Sequence, residues 1–105
     1  MNWDSSYEIF IDKKLPKIIK RNLPQNLKKV LDRKLKYLAT NPNHPSLNTK
    51  SYDVSKQTLG RLEVDAIFEF YINMSFRCVF YVRQKEKRLI IAFVGNHEAV
   101  KNRYS

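Results

Sequence analysis

The chain has 105 residues, 43% of them hydrophobic, with twenty Lys and Arg against ten Asp and Glu and a formal net charge of +10. That length makes one domain, able to bury roughly two-thirds of its unfolded surface without disulfides or metal; a lone cysteine, Cys78, excludes an internal disulfide and a Cys/His zinc cluster. The charge favours a polyanion, and fits an acidic protein partner equally well.

In chain order, Tyr7 to Ile11 (YEIFI) alternates and is rich in β-formers, which predicts a first strand. Asp12 offers an N-cap for a short helix that tolerates Pro16 in its first turn and turns Leu15, Ile18 and Ile19 inward. Asn22 and Pro24 end it. From Gln25 to Ala39, Leu27, Val30, Leu31, Leu35 and Leu38 recur at helical spacing, leaving Lys28, Lys29, Arg33 and Lys36 outside; Asn41-Pro42 stops this second helix. Ten of the twenty basic residues lie between Lys13 and Lys36, so the helical hairpin is basic.

Asn41 to Gly60, with two prolines and many Asn and Ser, reads as a long surface excursion, a length that is uncommon unless functional. Lys50, Lys56 and Arg61 lie in or beside it, within reach of a sheet. Leu62-Glu63-Val64 reads as an early strand start. Three strands follow, at Ile67–Ile72, Ser75–Arg83 and Arg88–Gly95, turned at Asn73-Met74 and Gln84–Lys87. Glu98 to Arg103 predicts a helical turn with its acid near the start and Lys101 and Arg103 near the end. The fold class is α+β: a β-α-α-β-β-β order in one domain over residues 1–105, an antiparallel meander packed on a two-helix hairpin.

Alternation divides the meander. Phe68, Phe70 and Ile72, with Phe76, Cys78, Phe80 and Val82, form apolar rows expected under the helices, where Cys78 is an inert packed thiol. The opposite row, Glu69, Tyr71, Arg77 and Tyr81, is polar and aromatic, as a nucleic-acid contact surface is. Arginine's planar fork suits a phosphodiester, and His97, at the end of the last strand, titrates near neutral pH and can protonate a leaving oxygen. Arg77 fits a cross-strand ion pair with Glu69 as well, and His97 fits a capping position. His44, between Pro42 and Pro45, reads as a loop residue.

The element order, with Phe76-Arg77-Cys78-Val79-Phe80 and Ala92-Phe93-Val94-Gly95-Asn96-His97, resembles the RelE/ParE family of toxins from bacterial type II toxin–antitoxin systems. There the third-strand motif usually reads aromatic-Arg-apolar-apolar-aromatic, and the last strand ends in Gly followed, after one residue, by Arg or His. Both are met here, and the resemblance covers nearly the whole chain. It implies, in the RelE-like branch, a ribosome-dependent endoribonuclease that enters the ribosomal A site and cleaves mRNA by metal-independent attack of the 2′-hydroxyl. On that reading Arg77 holds the phosphate, His97 is the acid, and Glu69 is a possible base. Lys50, Lys56, Arg61, Tyr71, Tyr81, Lys101 and Arg103 face RNA, and Tyr104 stands for the tail tyrosine that stacks on the message.

The same resemblance implies an acidic antitoxin partner, with the ribosome and mRNA as targets, DNA met only indirectly through a toxin–antitoxin complex, and no cofactor. Met1 is followed by polar residues and no apolar run spans a bilayer, so a cytoplasmic protein away from membranes is expected. The alternatives are a ParE-like DNA gyrase inhibitor, a plain RNA-binding module, and a diverged member with a degraded site. The Arg77 and His97 pair argues for the endoribonuclease, and Tyr71, standing where many relatives carry a second arginine, keeps the degraded site among the alternatives.

Overall fold

The computed structural model describes residues 3–104. Met1 and Asn2, on which the expectation about a leader rested, lie outside the described residues. Strand β1 (Glu8–Ile11) is the alternating opening segment. The Asp12 carboxylate accepts the Lys14 N–H at 2.8 Å, but it does not cap the helix. The Asp12 carbonyl already accepts from Leu15, which moves the start on, so α1 (Leu15–Asn22) begins after Lys14 with no side-chain cap. One 3₁₀ turn at Gln25–Leu27 leads into α2 (Lys28–Thr40), which buries Leu31 and Leu38, two turns apart on one stripe.

The segment read as an excursion is ordered. It contains a 3₁₀ turn at Pro45–Leu47, a two-residue strand β2 (Lys50–Ser51) and a seven-residue helix α3 (Lys56–Leu62). Ser55 caps α3 by accepting the Thr58 N–H at 3.1 Å, and Val54 and Leu59 flank the cap in one apolar cluster, as in a hydrophobic staple. Leu62-Glu63-Val64 is therefore not a strand start. Leu62 ends α3, and Glu63 closes it in the left-handed conformation at φ 59°.

Strands β3 (Ala66–Tyr71), β4 (Phe76–Arg83) and β5 (Arg88–Asn96) form the expected antiparallel meander, and α4 (His97–Tyr104) is the expected tail helix. The sheet is mixed, in the order β1-β5-β4-β3-β2, because β1 pairs in parallel with β5 while β2 extends the other edge beside β3. Past Ile11 the β5 edge is taken over by α1. Ile91's carbonyl accepts the Asp12 N–H at 3.0 Å, and Val94's carbonyl accepts the Asn22 side-chain amide at 2.9 Å. Straddling that edge, α1 places Leu15 in one core and Ile18 in another.

One sheet face is the expected core: Phe70, Ile72, Cys78, Phe80 and Val82 are buried with Leu15, Leu31 and Leu38. The opposite face differs from the open polar surface anticipated. Ile67, Val79, Tyr81 and Phe93 are also buried there, beneath Val100 of α4 and Leu59 and Leu62 of α3. A β-bulge opposes Val79 and Phe80 to Phe93 and Ile91, leaving Ala92 as the extra residue, and both Ala92 and Phe93 join this second cluster. Only the end near Arg77 remains polar. Among the described residues no helix is long and apolar enough to cross a membrane.

Candidate functional site

Adjacent strands assemble the polar end of this face. Arg77 is paired across the ladder with Tyr71, and its guanidinium lies over that ring, 4.5 Å from the centroid. One step diagonally, its Nε lies 3.3 Å from Glu69 Oε1, an ion-pair distance without the alignment of a hydrogen bond. Both side chains are only 11% exposed. Arg77 Nε and Nη1 and Glu69 Oε2 make no hydrogen bond among the described residues. The charge of the guanidinium is met by Glu69, while two of its donors are left without a hydrogen bond.

The edge strand supplies the next layer. Lys50 is paired with Glu69, and its Nζ lies 3.3 Å from the Tyr71 hydroxyl and 5.1 Å from the ring centroid. Arg77, donating toward it, and then Lys50 hold the Tyr71 phenol below its ordinary value. Tyr71 is anchored from behind, because Lys34 donates to its carbonyl at 2.6 Å and to that of Ser46 at 2.9 Å. Tyr52 shares this side of the sheet. Burial, and next the charge of Glu69, raise its phenol, which places Tyr52 within the field of the pair.

His97 stands where the last strand becomes α4, two residues beyond Gly95, the ladder partner of Arg77. Its N–H donates to Ser75 at the β3–β4 turn at 3.2 Å, its side chain is exposed, and Asn96 caps the helix by accepting the Ala99 N–H at 2.8 Å. Gly95 is required by space: a Cβ there would lie 2.9 Å from the Ala99 Cβ and 3.1 Å from the Phe93 ring. Only glycine lets α4 turn back this close to β5.

The remaining sequence-derived positions fall into two groups. Tyr81 is 9% exposed, and its hydroxyl is 3.0 Å from that of Tyr104, which itself packs edge-on to Tyr81 and Phe93. Burial, then the bond to Tyr81, push the Tyr104 phenol well up. This tyrosine pair closes the second core rather than facing outward, because α4 folds back along the sheet. Lys56 and Arg61 are exposed on α3 and Lys101 on α4, while Arg103 is exposed with its guanidinium 5.6 Å from the Phe93 centroid. The structure thus joins Lys50, Glu69, Tyr71 and Arg77 in one contact chain, while His97 is related to it by register, two residues beyond the ladder partner of Arg77.

Two residues were missed by the sequence reading. Tyr52 had a signal, since Lys50 and Tyr52 alternate onto one face of an edge segment. Lys34 had none, because its two carbonyl partners are distant in sequence. Cys78 is fully buried and its thiol is pushed far up by burial, an inert core residue as expected. His44 is more fixed than a loop residue: it stacks on Tyr37 at 3.9 Å and its Nδ1 accepts the Ser46 N–H at 3.1 Å.

No protein-family model matches this chain, and no curated protein sequence matches it. Solved structures do. The archaeal RelE of the RelE–RelB complex from Pyrococcus horikoshii OT3 is 14% identical with a TM-score of 0.63, over 86% of this chain and 93% of that one. A chain of the Escherichia coli DinJ–YafQ toxin–antitoxin complex is 14% identical with a TM-score of 0.63, over 95% and 98%. YoeB from Staphylococcus aureus is 17% identical with a TM-score of 0.58, over 87% and 97%. At these identities the likeness is one of fold, and the chain has the fold of the RelE, YafQ and YoeB toxins.

Proposed function

We propose that this protein is the toxin of a toxin–antitoxin pair, a cytoplasmic, ribosome-dependent endoribonuclease that cleaves mRNA by transesterification. The observation that carries the reading is Arg77, buried on the β4 face with Nε and Nη1 unfilled and His97 two residues past its ladder partner. The scissile phosphate meets the edge of the guanidinium that reaches the surface, since Nε and Nη1 are themselves buried. The ribose 2′-oxygen attacks phosphorus as the bond to the 5′-oxygen breaks, leaving a 2′,3′-cyclic phosphate and a 5′-hydroxyl. His97 gives a proton to the departing 5′-oxygen. Glu69 takes the 2′-hydroxyl proton, and Arg77 neutralises the charge that develops on the phosphate.

The partners follow from charge and fold. RelE and YafQ, whose fold this chain shares, are seen in complexes with RelB and DinJ. An acidic antitoxin would neutralise part of the +10 charge of this chain as it ordered on the surface. Ribosomal RNA presents the same kind of charge, and Lys101 and Arg103 on α4 add to the basic hairpin. One observation favours a second reading. The Glu69 ion pair lowers the positive field of Arg77, which suits a diverged, non-catalytic RNA binder.

The deciding experiment is induced expression of the wild type, Arg77→Ala, Arg77→Lys and His97→Ala, with primer extension on a reporter message and plasmid supercoiling read in the same cells. New message ends in the wild type are expected to fall about a hundredfold in each variant, the scale of a positioned acid or oxyanion donor. Arg77→Lys keeps the charge beside Glu69 and loses the fork, so it separates catalysis from folding. Arrest with no new ends, or ends unaffected by the substitutions, defeats the nuclease. Altered supercoiling instead establishes a gyrase inhibitor.

A further inference from the structure

A second basic feature lies apart from Arg77, between α1 and α4. Two adjoining cavities, of about 460 Å³ and 310 Å³, share Lys14, Ile18 and Arg103 and so form one groove. Its rim carries Lys13, Lys14, Lys17, Arg21 and Arg103, all exposed. Beneath that rim the lining is apolar, from Ile11, Ile18, Leu62, Tyr81 and Ala92. Among the described residues one acid lines the groove, Asp12, whose carboxylate accepts the Lys14 N–H at 2.8 Å.

This arrangement costs the free protein stability. Lys14, Lys17 and Arg21 recur at spacings of three and four along α1, so like charges are neighbours on one helix face. Lys13 and Lys14 sit at the positive end of the helix dipole, and the first turn of α1 holds no acid. Among the described residues none of the five cations is in an ion pair. Repulsion left standing in a groove is relieved by an anion that enters it.

The geometry selects the anion. Steps of three and four residues along a helix advance the charges by about 4.5–6 Å each, close to the repeat of phosphates along a nucleic-acid strand. Arg103 lines both cavities from the far wall, so the charges face a groove rather than a flat helix surface.

We propose that the groove between α1 and α4 is a second RNA site, which grips the phosphodiester backbone of a single strand independently of the chemistry at Arg77. The choice of RNA among polyanions rests on the toxin reading; the groove itself does not.

The test is the salt dependence of binding to a labelled 2′-O-methyl RNA oligonucleotide, which has no free 2′-hydroxyl and is not cleaved. The double variant Lys17→Gln, Arg21→Gln is compared with Lys29→Gln, Lys36→Gln, which removes the same charge from exposed positions on α2. With about 0.7 in slope per phosphate contact of a single strand, the groove variant is expected to flatten log K against log salt by about 1.4. The α2 variant should flatten it by less than half of that. Lys17→Arg, Arg21→Lys keeps both charges and should retain the wild-type slope, and urea denaturation of each variant shows that the fold is intact.

Equal flattening by both double variants means diffuse charge and overturns the site. Displacement of the RNA by a glutamate-rich peptide at equal charge concentration overturns the assignment in favour of an acidic protein. Failure here is distinct from failure of the nuclease reading. A flattened slope with no message cleavage in cells keeps the groove and retires the nuclease, and cleavage with an unchanged slope does the reverse.

Discussion

Arg77 and Glu69 are the pair on which function and stability meet. Each is about nine-tenths buried, so neither charge is well solvated, and each compensates the other. Arg77→Ala removes the ion-pair partner of a Glu69 that is nearly buried in the intact protein, and is expected to cost about 2 kcal/mol, below the range for fully buried pairs. Glu69→Gln, Arg77→Ala removes both charges at nearly constant shape on the glutamate side. It should recover more than half of that loss in urea denaturation, giving a coupling energy above about 1 kcal/mol. Additive losses would mean that the two side chains do not compensate one another.

At the scale of elements, the seat of α4 decides how the site is framed. The helix is held by buried Val100, by the Tyr81–Tyr104 hydroxyl contact and by the closeness of Ala99 to Gly95. No glycine among the described residues has a positive φ, so Gly95 is there for its missing side chain rather than for its backbone. Gly95→Ala must push Ala99 or the Phe93 ring aside, at about 1–3 kcal/mol. The expected signature is local: α4 amides exchange hydrogen faster while the β4–β5 ladder keeps its protection. A variant with unchanged exchange in α4 would show that the contact is relieved without moving the helix. His97, which starts that helix, should be displaced with it.

For the whole molecule the dominant fact is unbalanced charge. The chain carries +10, and the three ion pairs among the described residues engage only Glu69 and Glu86 among the acids. Self-repulsion of this kind lowers the stability of the folded state and is screened by salt within about a Debye length. Raising salt from low ionic strength to about 0.15 M is therefore expected to raise the unfolding midpoint, by an amount that thermal melts resolve. RNA binding should respond with the opposite sign, since association releases counterions and added salt makes that release less favourable. A midpoint that falls with salt would place net attraction, not repulsion, in the free protein's surface.

Periodicity by itself determined the meander, the long helix α2 and the core row of Phe70, Cys78 and Phe80, because period-2 and period-3.6 patterns are local and their consequences short-ranged. It determined as well that Arg77 and Glu69 share a sheet face, which is what makes their pairing possible. Helix α3 lay hidden because its signal was one cap, Ser55, and seven residues, too short for a helical period to show. The parallel pairing of β1 with β5, the takeover of that edge by α1 and the covering of the second face by α3 and α4 were decided only by tertiary structure. These depend on contacts between residues as distant as Asn22 and Val94. For the same reason Tyr81, on the polar row by alternation, became a core residue, while Lys14, Lys17 and Arg103 came to line a common groove. Alternation says which residues share a face; only the packing of other elements onto that face says whether it meets water.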